Sequence, residues 1–188
     1  LKISINSLNL NSVIHTFRNC VKLNKNEIIN LKLDNIMINE KLAELGISIP
    51  DAPTPLAAYV PGQVVGNLLF TSGQVALQNG AIAYKGKVGG NLSEEEGIAA
   101  ARVCAINCLA VAKKLLGDLE KIERIVKLTV FVNCVDGYAN EPKIANGASE
   151  LLVELFGENG KHTRSAVGVS GLPLDSAVEI EMIALIKQ

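Results

Sequence analysis

The chain has 188 residues, 48% of them hydrophobic, and a formal net charge of −1. That length and apolar content suffice for one buried core and a single domain, and no apolar run reaches the roughly 20 residues that a membrane-crossing helix needs. Lys2, Arg18, Lys22, Lys25 and Lys32 against Glu27 and Asp34 leave residues 1–36 at +3, so residues 37–188 carry −4. A mildly acidic domain without a Lys/Arg run argues against a nucleic-acid partner.

Residues 1–36 are rich in Asn, Leu, Ile and Lys and contain neither Gly nor Pro. Such a basic, acid-poor leader has the composition of a mitochondrial transit peptide. It is equally consistent with a disordered extension ahead of a start at Met37. The domain is therefore expected over 37–188.

From Met37 the pattern is tighter. Asn39 to Leu45 reads as a helix ending at Gly46, and Pro50, Pro53 and Pro55 force an extended connection. Ala58–Val65 and Leu68–Leu77 read as a hairpin turning at Gly66-Asn67. Gly80 to Gly90 is a glycine-rich turn region with neither a phosphate-loop nor a dinucleotide pattern. Ser93 and Glu96 form a capping box opening a helix whose apolar stripe runs to Leu116 and stops at Gly117. Ile122–Asn133 is a strand dense in β-branched residues. Pro142–Phe156 is a second amphipathic helix with Gly157 as its stop.

The closing segment His162–Ile186 reads as two strands joined by a Gly171-Leu-Pro173 turn, which predicts a hairpin. Val178, Ile180, Met182 and Ala184 alternate with Glu179 and Glu181. A hairpin would set Arg164 beside Glu179. By spacing alone that pair is either an ordinary cross-strand ion pair or a functional cation beside a carboxylate.

The order from Ala58 is β-β-α-β-α-β-β, an α+β layer with a mainly antiparallel sheet and helices on one face. Val126, Leu128 and Val130 leave the other face apolar, which points to oligomerisation.

Cys104 and Cys108 lie one helical turn apart as buried hydrophobes. The four cysteines form neither a Cys-x-x-Cys nor a secreted disulfide pattern, and no metal site is expected of Cys134 and His162. A reducing compartment is expected, the cytoplasm or, if residues 1–36 are a transit peptide, the mitochondrion. His162 reads as an exposed strand-end histidine, Tyr138 as packing, and Lys127 as a solvated charge or a cleft residue.

Four stretches then carry a resemblance: Ala58-Tyr-Val-Pro-Gly62, Gly66-Asn-Leu-Leu-Phe-Thr-Ser-Gly-Gln74, Ile125-Val-Lys-Leu-Thr-Val-Phe-Val132, and Arg164-Ser-Ala-Val-Gly-Val-Ser-Gly-Leu-Pro173 followed by Val178-Glu-Ile-Glu181. Together they resemble the Rid family, also called YjgF-like, endoribonuclease L-PSP-like or reactive-intermediate (imine) deaminase. Met37–Gly46 and Glu141–Glu150 resemble its less studied branch with a longer N-terminus.

The resemblance implies a chorismate-mutase-like α+β fold assembled as a homotrimer around a central barrel, with sites in the clefts between subunits. It implies hydrolysis of 2-imino or enamine acids to 2-keto acids and ammonia, without cofactor or metal. Arg164 falls where the family binds the substrate carboxylate and Glu179 where it positions the attacking water. Tyr59 falls on a pocket-lining tyrosine, and Ser72 and Gly73 on the Ser-Gly turn. Asn146, by the second helix, reads either as a packing and capping residue or as one that approaches the neighbouring subunit's site. Ala166 replaces a cysteine of many deaminating members, and Ala57-Ala58 replaces a Gly-Pro. Two alternatives remain at this stage: a non-catalytic trimer binding a small carboxylate, and the ribonuclease and translation-inhibitor activity of the older name.

Overall fold

The computed structural model describes residues 37–52 and 58–187. The leader at 1–36, Pro53, Pro55 and Ala57 lie outside the described residues.

Helix α1 (Ile38–Glu44) buries Ile38 and Leu42 and ends ahead of Gly46, whose φ is +65°. Strand β1 (Gly62–Val65) pairs antiparallel with β2 (Leu68–Thr71) around the Gly66-Asn67 turn. The expected strands are shorter than their apolar patterns: Ala58–Pro61 is not strand, and the stretch to Leu77 breaks at Ser72-Gly73. Beyond the break come β3 (Gln74–Val75), β4 (Leu77–Gln78) and β5 (Ala81–Ile82), the last two forming a small hairpin whose second strand lies inside the expected glycine-rich region.

Helix α2 (Glu94–Leu116) has the capping box: the Ser93 hydroxyl accepts from Glu96 N and the Glu96 carboxylate accepts from Ser93 N. Gly117 closes it in the left-handed conformation. Strand β6 (Ile122–Asn133) has the expected bounds, and α3 (Glu141–Phe156) starts one residue earlier than expected. Strands β7 (Thr163–Val169) and β8 (Val178–Ile186) finish the chain.

The sheet order is β1-β2-β8-β6-β7, with β3 also on β8. All pairs are antiparallel except β6 with β7. The closing hairpin predicted from sequence does not form, because β6 lies between its two strands. Twelve residues long, β6 offers both edges as templates, and β7 and β8 take one each. Their connection passes over the end of β6, where Asn133 N donates to Ala177 O at 2.9 Å.

Leu174 and Asp175 turn that connection with φ of +56° and +60°, a conformation that costs non-glycine residues of order 1 kcal/mol or more each. Gly86 N donating to Asp175 O (2.8 Å) and Asn133 Nδ2 to Asp175 Oδ1 (3.3 Å) hold it.

Helices α2 and α3 cover one sheet face. Leu69, Ile125, Leu128, Ile180 and Met182 are fully buried there against Ala101, Cys104, Cys108, Leu151 and their neighbours, each large side chain contributing roughly 1.5–3 kcal/mol. Leu128 and Val130, assigned from sequence to the uncovered face, lie on this covered one. The register puts Phe70, Lys127, Thr129, Phe131, Val167 and Ile183 on the open face instead. Cys104 and Cys108 are fully buried with their thiols on the Val178 and Ile180 carbonyls, and burial pushes Cys108 up to about 12.

Candidate active site

Arg164, the second residue of β7, aligns with Leu128 and, across β6, with Met182. Its side chain therefore leaves the helix-covered face at the open edge of the sheet and meets α3. Nη1 donates to Asn146 Oδ1 (3.0 Å) and to Ser149 Oγ (2.9 Å), and Nη2 donates to the Pro142 carbonyl (3.1 Å). Pro142, Asn146 and Ser149 are spaced four and three apart and so share one helix face. A guanidinium has five N–H groups and no acceptor. Three are committed to α3, and among the described residues Nε–H and one N–H of Nη2 have no acceptor. Ala166, two residues on, is half-buried and packs against the core.

Glu179, the second residue of β8, aligns with Phe131 and belongs to the opposite face. It is half-buried, and among the described residues its carboxylate has no hydrogen-bond or ion-pair partner. Burial first, then the Glu181 carboxylate two residues along, push it above the usual carboxylate range. The break at Ser72-Gly73 lies against it, and a Cβ on Gly73 would come within 2.7 Å of Glu179 Cδ. Ser72 fastens the preceding segment: its Oγ donates to Val60 O (2.7 Å) and its N to Pro61 O (2.9 Å). Tyr59, next to Val60, is exposed.

The residues singled out in sequence thus form two groups. Arg164, Asn146 and Ala166 belong to one; Glu179, Gly73 and Ser72, with Tyr59 adjoining, belong to the other. Within one chain the expected Arg164–Glu179 pair does not form. Two strand spacings, about 10 Å, and the thickness of the sheet separate the two residues.

Ser149 and the Pro142 carbonyl escaped the sequence reading. Their signal was the i, i+4, i+7 spacing around Asn146. His162 is also half-buried and hydrogen-bonded, at 3.1 Å from Ser149 Oγ and 2.6 Å from Gly160 O, where an exposed strand-end residue was expected. Among the described residues no group of three or more His, Cys, Asp or Glu converges as a metal site would require, and no helix is long and apolar enough to cross a membrane.

Residues 39–186 match the family model described as "YjgF/chorismate_mutase-like, putative endoribonuclease". Protein TCP17 of Trypanosoma cruzi is 41% identical over 143 residues, 76% of this chain and 89% of its own. A 2-iminobutanoate/2-iminopropanoate deaminase of Dermatophagoides farinae is 29% identical over 141 residues, 75% of this chain and 95% of its own. The crystal structure of Atu1372, a protein of unknown function from Agrobacterium tumefaciens, superposes with a TM-score of 0.76 at 39% identity, covering 87% of this chain and all of its own. The mixed α+β fold, its three helices and mostly antiparallel sheet, and the extent of these matches agree: the chain belongs to the YjgF/chorismate-mutase-like family.

Proposed function

We propose that this chain is a cofactor-independent deaminase that hydrolyses small 2-imino or enamine acids to 2-keto acids and ammonia. The observation that carries the reading is the state of Arg164, three of whose N–H groups are fixed by α3 while two are left to receive a ligand. A pinned, permanently charged fork of that kind suits a carboxylate, and the relative from Dermatophagoides farinae is named for 2-imino carboxylates.

Glu179 is the general base. Burial and the Glu181 carboxylate raise its pKa, which makes it a stronger base than an ordinary carboxylate. Glu179 takes a proton from water as the water oxygen bonds to the imine carbon, the C=N electron pair moves to nitrogen, and Glu179 returns the proton there. In the resulting carbinolamine Glu179 takes the hydroxyl proton and passes it to the amine nitrogen, so that C=O forms, the C–N bond breaks and ammonia leaves. Holding both reactants lowers the barrier mainly by proximity.

Since Arg164 and Glu179 lie on opposite sheet faces, the working site is shared between copies in a homotrimer. One copy gives Arg164, Asn146 and Ala166; its neighbour gives Tyr59, Ser72, Gly73 and Glu179. The apolar open face around Phe70, Phe131 and Ile183 favours such packing. The family match beginning at residue 39 supports residues 37–188 as the functional unit and 1–36 as a leader.

The test is clearance of 2-iminopropionate, generated in situ by an amino-acid oxidase and trapped with semicarbazide. Wild type accelerates clearance, and Arg164→Ala and Glu179→Gln both lose the acceleration. Binding of pyruvate without turnover by wild type would leave only a carboxylate-binding protein.

A further inference from the structure

Behind Arg164 runs a chain of hydrogen bonds that reaches the backbone. Arg164 Nη1 lies 2.9 Å from Ser149 Oγ, Ser149 Oγ lies 3.1 Å from His162 Nε2, and His162 Nδ1 lies 2.6 Å from the Gly160 carbonyl. The direction of each bond follows from the groups themselves. A guanidinium can only donate, so Ser149 Oγ accepts from it. The Gly160 carbonyl can only accept, so His162 Nδ1 carries a proton. In the neutral ring Nε2 is then the unprotonated nitrogen and accepts the single Ser149 proton.

The geometry points to Ser149 and His162 as positioning residues that lock the Arg164 guanidinium in its carboxylate-receiving orientation, with His162 held as the neutral Nδ1–H tautomer. This rests on the deaminase reading of the site. Three further observations support it. Burial pushes the His162 pKa down and the Arg164 charge does the same, against the opposing Gly160 hydrogen bond, so the neutral ring is favoured. Gly160 packs on the α3 backbone so closely that a Cβ would overlap the Leu152 carbonyl, which fixes the chain's anchor point to the helix bearing Ser149. Asn146 and the Pro142 carbonyl also hold the guanidinium, so removing Ser149 loosens Arg164 without freeing it. Positioning of this kind acts on ligand affinity, because a fork already oriented loses less freedom on binding.

The tautomer is read by nitrogen-15 NMR of histidine-labelled full-length protein at neutral pH, with His15, the other histidine, distinguished by His162→Gln. The expected spectrum has His162 protonated on Nδ1 and bare on Nε2; an Nε2–H ring or an imidazolium overturns the chain of bonds. Ser149→Ala is then compared with Ser149→Thr, which keeps the hydroxyl. The expected result is that Ala weakens pyruvate binding and raises KM about tenfold, the usual scale for a lost hydrogen bond to a charged group. Its kcat should fall less, and Thr should restore KM. Unchanged KM and affinity in a folded Ser149→Ala overturn the positioning role. If wild type neither binds pyruvate nor clears the imine, the deaminase reading is what fails, and the NMR result still decides the tautomer.

Discussion

Gly73 lies directly beneath the Glu179 carboxylate, and a methyl group at residue 73 would occupy the space that carboxylate fills. The chain therefore breaks its second strand at Ser72-Gly73 where Glu179 needs room. The group displaced by a larger residue is the far end of a flexible side chain, so the fold can yield. Gly73→Ala is expected to remain folded, with a melting temperature close to wild type, while kcat for imine hydrolysis falls about 100-fold, as a misplaced reactive group can cost. Unchanged turnover would show that Glu179 is not the base or does not work from this position.

The raised Glu179 pKa carries two signs that can be measured together. As a base it must be ionised, so kcat/KM rises with pH through a value above the ordinary 4.5, and Glu179→Gln removes both the activity and the inflection. For stability the direction is opposite. A folded-state pKa above the unfolded value means that ionisation of Glu179 opposes folding: the favourable contribution is complete below about pH 4.5 and is lost as pH rises through the folded pKa. Glu179→Gln should therefore melt higher than wild type at neutral pH, with no such gain below pH 4.5. Thermal melts across pH would contradict this if the variant were less stable at neutral pH.

Glu94 shows the reverse case. At the first turn of α2 it accepts from Lys143 (2.5 Å), Asn140 (2.9 Å) and Tyr138 (3.0 Å), which together hold its pKa at about 2. Those bonds tie α2 to the start of α3, the turn whose Pro142 carbonyl receives Arg164. A depressed folded-state pKa contributes stability that is present above the unfolded value near 4.5 and is lost as pH falls towards 2. Glu94→Gln is expected to lower the melting temperature at pH 7 and to converge with wild type near pH 2. Parallel melting curves at every pH would remove Glu94 from this role.

Most of the fold was legible because its elements carry strong local signals. The Ser93–Glu96 capping box, the Gly117 stop and the β-branched run of β6 each fix a boundary within the chain itself. The pairing of β7 with β6 was not legible. A Gly-Leu-Pro turn between two strands looks like a hairpin, and only the competition of both strands for the long central β6 decides otherwise. The same error carried into the site: with the hairpin went the expected Arg164–Glu179 contact, since one inserted strand separates the two and register puts them on opposite faces. Side-chain partners such as Ser149 were visible only as helix spacing, which says that residues share a face and nothing about what they touch.

The division of Arg164 and Glu179 between two faces leads to the sharpest test of the assembly. If each site takes its cation from one copy and its carboxylate from a neighbour, two inactive variants can repair one another. Arg164→Ala still supplies Glu179, and Glu179→Gln still supplies Arg164. Mixed oligomers obtained by co-expression at equal levels should then regain about a quarter of wild-type activity, since half the cation positions and half the carboxylate positions are intact and they combine independently across a cyclic interface. The separately purified variants, mixed without subunit exchange, should regain none. If both groups served one site within the same chain, every chain would lack one of them, and no mixture could show recovery. Measuring clearance of the imine by the co-expressed oligomers, with their size checked by light scattering, distinguishes a shared site from a self-contained one.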